Sequence, residues 1–88
     1  MATYIHDPDD RLDYAFDWTS FLAAGETITG HTVTGDGVTA DSDTEQAGIV
    51  TYWVSGGVAG TVAHVTCHVT TSAGRQKDAT DRFIVREM

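Results

Sequence analysis

The chain has 88 residues, 41% of them hydrophobic, which suits one domain with a thin core and is too short for two. Thirteen acids against five bases give a net charge of −8, and this sign repels phosphate backbones and anionic lipid, so neither nucleic acid nor a membrane surface is an expected partner. The single cysteine, Cys67, excludes an internal disulfide staple, and no apolar run approaches the roughly 20 residues that span a bilayer.

Met1–Asp7 has neither a basic nor an apolar stretch of the kind a secretory signal needs, so a protein made and kept soluble in a cytosol, or in an assembly built there, is expected. Residues 1–11 hold the only proline, in Asp7-Pro8-Asp9-Asp10-Arg11. They predict an extended N-terminal arm leading into a turn and ordering on docking, ahead of a domain over residues 12–88. From Leu12 the pattern alternates, with Leu12, Tyr14, Phe16 and Trp18 on one face and Asp13, Ala15 and Asp17 on the other, which predicts a half-buried strand with Trp18 in the core. Thr19-Ser20 predicts the cap of a single helical turn through Ala24, ended by Gly25.

Glu26–Thr34 is rich in threonine and β-branched residues and predicts a strand, followed by a turn at Gly35-Asp36-Gly37 and a short strand over Val38–Asp41. Asp43–Gly48 is polar and aperiodic and reads as a loop. Ile49–Ser55 carries bulky groups on both faces before Gly56-Gly57 stops it, so one face covers the core while Tyr52 or Trp53 is offered on the other.

Thr61–Thr71 is the longest run, with Ala63, Val65, Cys67 and Val69 opposite Val62, His64, Thr66, His68 and Thr70. Ser72–Thr80 predicts a hairpin loop carrying Arg75 and Lys77. The last strand turns Phe83 and Val85 inward and Arg82, Ile84 and Arg86 outward. Strands spaced about 8–12 residues apart by glycine-containing turns predict an all-β fold, an immunoglobulin-like antiparallel two-sheet sandwich of about seven short strands.

Chemistry is sparse in this pattern. Residues 1–46 hold ten acids and one base, Arg11, while residues 47–88 hold three acids and four bases. In an EF-hand register from Asp7, Leu12 replaces the required glycine; Asp41-Ser42-Asp43-Thr44-Glu45 starts correctly but fails with Gln46 and Tyr52, so no calcium site is expected. His64 and His68 sit about 13 Å apart on a strand, too far to share a metal, and all four histidines read as surface residues. Cys67 shares its face with Val65 and Val69 and reads as a buried, inert thiol. No nucleophile elbow is present, and Gly56-Gly57 with Gly60 lacks the helix start and lysine of a phosphate loop. No catalytic residue, metal or cofactor is expected, and the chain reads as a docking module instead of an enzyme.

Four blocks of residues resemble a known family. These are Asp7-Pro8-Asp9; Leu12–Trp18 with Phe21-Leu22 and Gly25–Ile28; Val54–Gly57 with Gly60-Thr61; and Val65–Cys67 with Thr70–Arg75. Together they are similar, in register over nearly the whole chain, to small tailed-phage virion proteins called fiber-tail adaptors. The resemblance implies an immunoglobulin-like virion structural protein, present in many copies in a symmetric assembly, that docks tail, fiber, neck or capsid proteins. A capsid decoration protein on the head exterior is the alternative, and a host-surface glycan-binding module a more distant one. The residues themselves place the candidate protein contacts at Asp7, Asp9 and Asp10 in the arm, at Tyr52 and Trp53, and at Arg75 and Lys77 on the hairpin.

Overall fold

Period-two alternation builds every regular element of the chain. The computed structural model describes residues 2–88, and these form seven strands: β1 (Thr3–His6), β2 (Arg11–Asp17), β3 (Ile28–Asp36), β4 (Thr39–Gln46), β5 (Ile49–Ser55), β6 (Val62–Thr71) and β7 (Gln76–Val85). They pair into a four-stranded sheet, β1-β7-β6-β3, and a three-stranded sheet, β2-β5-β4. With β3, β6 and β7 facing β2, β5 and β4, the connectivity follows the constant-type immunoglobulin arrangement, the first strand being moved to the outside of the last. That first strand gives the one parallel pair, β1 with β7; the other pairs are antiparallel, as expected.

The core lies between the inner faces. Phe16, Val50, Tyr52 and Val54 come from the three-stranded sheet, and Ala63, Val65, Cys67, Val69, Phe83 and Val85 from the four-stranded one; Trp18 closes one end. The two sheets are tied at Gly35, where a Cβ would collide with the Val38 carbonyl, so the chain can cross from β3 to β4 within two residues only because glycine stands there.

Four local expectations are corrected. Where an arm was expected over residues 1–11, Thr3–His6 is a sheet strand in register with Arg82–Val85, because Thr-Tyr-Ile-His is itself a β-prone run; only Asp7–Asp10 is the turn. Asp43–Gln46 is not a loop but the second half of β4, which is polar because it is an edge strand exposed on its outer side. The hairpin loop is confined to Ser72–Arg75, Gly74 taking φ 79° to close it, and Gln76–Thr80 belongs to β7. The predicted helical turn is a single bend in which the Phe21 and Leu22 N–H groups share the Trp18 carbonyl, and it is capped by Asp17, whose carboxylate accepts from the Thr19 N–H and hydroxyl.

Two further turns bear on the surface. Ala47 (φ 53°) and Gly48 (φ 84°) make a two-residue hairpin of the mirror-image type between β4 and β5. In β4 a register shift between Asp41 and Thr44, with Ser42 at φ 53°, turns Asp43 toward the four-stranded sheet, where it meets His31 at 2.9 Å.

Candidate functional site

The residues with chemical capacity are largely committed inside the fold. Tyr52, expected as a surface contact, is fully enclosed: it shares the inward parity of Val50 and Val54, and its hydroxyl donates to Asp81 across the sandwich at 2.8 Å. Burial first, and then the neighbouring Asp81 carboxylate, push the Tyr52 phenol above its ordinary range. Asp81 is itself buried and also accepts from the Ala2 N–H at 3.2 Å, so one carboxylate pins β7, β5 and the residue that leads into β1. Around it, Phe83 meets Tyr4, Tyr14 and Tyr52 with ring centroids 5.3, 4.9 and 6.5 Å apart.

Arg75, expected at a free hairpin tip, is held in a clamp. Its guanidinium bonds both Glu26 oxygens, at 2.5 and 3.0 Å, donates to the Phe21 carbonyl at 2.8 Å and lies over the Phe21 ring at 4.2 Å. The Thr71 hydroxyl donates to the same Glu26 carboxylate. Arg75 first, then the Ala23 N–H and Thr71, hold the Glu26 carboxyl down at about 2 from its ordinary 4.5. A depressed carboxyl stabilises the fold above its unfolded pKa and loses that contribution as pH falls toward the folded one. The unfolding midpoint of the native chain is therefore expected to drop between pH 4.5 and about 2 more steeply than that of Glu26→Gln. A calorimetric pH series with equal slopes for the two chains contradicts the clamp.

At the N-terminal turn, Asp7 accepts from the Asp9 and Met88 N–H groups at 2.9 and 3.2 Å, and its carbonyl accepts from Asp10 N–H. Oxygens of Asp7, Asp9 and Glu87 lie within 4.8 Å of one another, a solvent-facing acidic cluster joining the two ends of the chain. Asp9, Asp10 and Lys77 are exposed, Lys77 on β7. Trp53 is half-buried on the outer face of the three-stranded sheet, opposite Asp13 and Asp41, with the Arg11 guanidinium 4.6 Å above its ring and bonded to Asp41 at 2.9 Å. Beside it a shallow depression is lined by Thr44, Gln46, Ala47, Ile49 and Thr51. The structure thus leaves Asp9, Asp10 and Lys77 exposed and Trp53 partly so, with no contact that brings them into one site among the described residues.

The histidines divide. His6 is buried, contrary to expectation, with Nε2 on the Gly56 carbonyl at 2.9 Å and its ring edge-on to Phe83. His68 stands on the outer face between Asp78 (2.5 Å) and Gln76 (3.1 Å); the Asp78 bond raises its pKa. Cys67 is fully buried, and burial pushes its thiol up to about 11, which leaves it protonated and unreactive at neutral pH.

Sequence reasoning missed the β2 edge, where Leu12 stays 47% exposed although it shares the inward parity of Phe16. The signal was present in Leu12 itself, an apolar residue at the strand start beyond the reach of the opposite sheet.

Comparison with known families gives one match: the family model described as podophage GP4 fiber-tail adaptor protein gp77 covers residues 6–85. No curated protein sequence matches the chain.

Proposed function

Because the chain belongs to the podophage GP4 fiber-tail adaptor family, we propose that it is a non-catalytic structural subunit of the virion, present in several copies, that joins tail and fiber components through outer contacts of a rigid sandwich. The observation that carries this reading is the family match across all seven strands except the first three residues of β1. The geometry supports it. Tyr52, Asp81, Glu26 and Arg75 are spent on holding strands together, and the Cys67 thiol is sealed in the core.

Charge narrows the kind of neighbour. Asp9, Asp10, Asp13 and Asp17 are exposed, and a chain of net charge −8 approaches basic protein surfaces more readily than phosphate or anionic lipid. Synthesis takes place in the host cytoplasm, before assembly into the particle.

Mass spectrometry of purified particles and of their separated tails tests the assignment. The polypeptide is expected in intact particles and retained with the tail fraction after heads are removed. Its absence from particles overturns the structural role, and recovery with the head shell alone overturns the adaptor role in favour of decoration.

A further inference from the structure

The sandwich has four edge strands, and three of them carry devices that stop another chain from pairing. β1 is four residues long and runs into the Asp7-Pro8 turn. β3 is interrupted by a register shift between Ile28 and Gly30, and β4 by another between Asp41 and Thr44. The flank formed by β3 and β4 is further closed by the His31–Asp43 pair between the sheets.

β2 has none of these. Its seven residues run in unbroken register with β5, from Arg11 opposite Ser55 to Asp17 opposite Ile49, and among the described residues no strand lies on its other side. Five of the seven are exposed. On its outer face it presents Asp13, Ala15 and Asp17, with Asp10 just ahead. By parity Leu12 and Tyr14 point inward, yet Leu12 is 47% exposed and Tyr14, though packed against the Tyr4 and Phe83 rings at 4.6 and 4.9 Å, is only partly buried.

We propose that β2 is a strand-addition edge, which takes an extended strand of another virion protein with basic side chains facing Asp13 and Asp17 and apolar ones covering Leu12 and Tyr14. The source of that strand rests on the adaptor reading; the edge itself does not. Main-chain bonds along the strand give affinity and the alternating side chains give selectivity, because residues directly opposite across an antiparallel pair lie about 5 Å apart and feel each other's charge. A second copy of this chain fits less well. Each copy has a net charge of −8, and a two-fold β2–β2 pairing centred on Tyr14 needs Arg11 opposite Asp17, whereas Arg11 is already held over Trp53 and by Asp41.

The test is a titration of the isotope-labelled full chain, at low salt, with a short peptide of alternating lysine and valine and with its glutamate–valine counterpart, followed by amide resonances. The lysine peptide is expected to saturate, to shift Arg11–Asp17 selectively and to slow amide exchange there. The glutamate peptide is expected not to bind. Asp13→Lys is expected to weaken the lysine peptide about tenfold by turning cross-strand attraction into repulsion. Leu12→Ser, on an exposed side chain, is expected to weaken it while leaving the unfolding midpoint in place. Saturable shifts on β4 or the β6–β7 hairpin, equal affinity for both peptides, no saturable binding, or a dimer formed through β2 each overturns the proposal. The titration needs no particle, so its failure is separate from absence of the polypeptide from virions.

Discussion

Phe83→Ala is expected to lower the stability of the chain by about 3–5 kcal/mol, as truncation of a buried phenylalanine does where the site cannot collapse. Phe83 is fully enclosed and is the hub of the aromatic cluster: Tyr4 of β1, Tyr14 of β2, Tyr52 of β5 and the His6 ring all pack against it. Those rings come from both sheets and hold one another in place, which limits how far the cavity can close. Small domains are stable by only about 5–15 kcal/mol, so this one change removes a large share of the total and the variant should be partly unfolded at physiological temperature. Denaturant titration followed by tryptophan fluorescence checks it. A loss below about 1 kcal/mol shows that the cluster rearranges and that Phe83 is not the hub.

Asp81→Ala is the second large effect, and its cause is polar. Removing the carboxylate leaves the Tyr52 hydroxyl and the Ala2 N–H without their partner, and an orphaned buried group costs about 1–3 kcal/mol. Tyr52→Phe removes the same bond from the other side and leaves Asp81 buried with one donor fewer. If the bond is what links the sheets, the double variant costs less than the sum of the singles by about 0.5–3 kcal/mol, the coupling expected of residues in contact. Additive losses in such a cycle place the cost in packing alone and remove the inter-sheet tie.

Much of this architecture was legible from alternation. β2, β5 and β6 read correctly because each has one continuous apolar parity, and Trp18, Cys67, Phe83 and Val85 fell on the buried side as read. The second half of β4 was hidden because an edge strand exposed on one side can be almost entirely polar, and its hairpin turn is Ala47-Gly48 instead of the asparagine–glycine pair that usually marks such a turn.

Tyr52 against Trp53 was the harder choice. Both faces of β5 are bulky, but Tyr52 has the parity of Val50 and Val54 whereas Trp53 shares its face with Thr51 and Ser55, and those hydroxyls mark the outside. Asp81 carried a similar signal, an acid on the parity of Phe83 and Val85, which in a buried strand calls for a donor across the core. Arg75 carried none. Its partner Glu26 lies 49 residues away in the chain, and only the fold brings the hairpin over the Phe21 bend.

The exposed acids that could be read from composition turn out to be unevenly useful. Asp7 and Asp17 organise turns, Asp41 holds Arg11, and Asp43 holds His31. Asp9, Asp10 and Asp13 remain facing solvent, and Asp10 and Asp13 lie at or beside β2, the edge strand whose register with its neighbour is unbroken. Structural demand and docking capacity therefore fall largely on different acids, Asp17 alone serving both, since it caps the turn at Thr19 and stays exposed on β2.

On the proposed function, this sandwich works by its position between other virion proteins. Electron cryo-microscopy of intact particles measures that most directly. Density for the seven-stranded sandwich is expected where fibers meet the tail, in several copies, each touching at least one other polypeptide; density confined to the icosahedral head shell contradicts an adaptor.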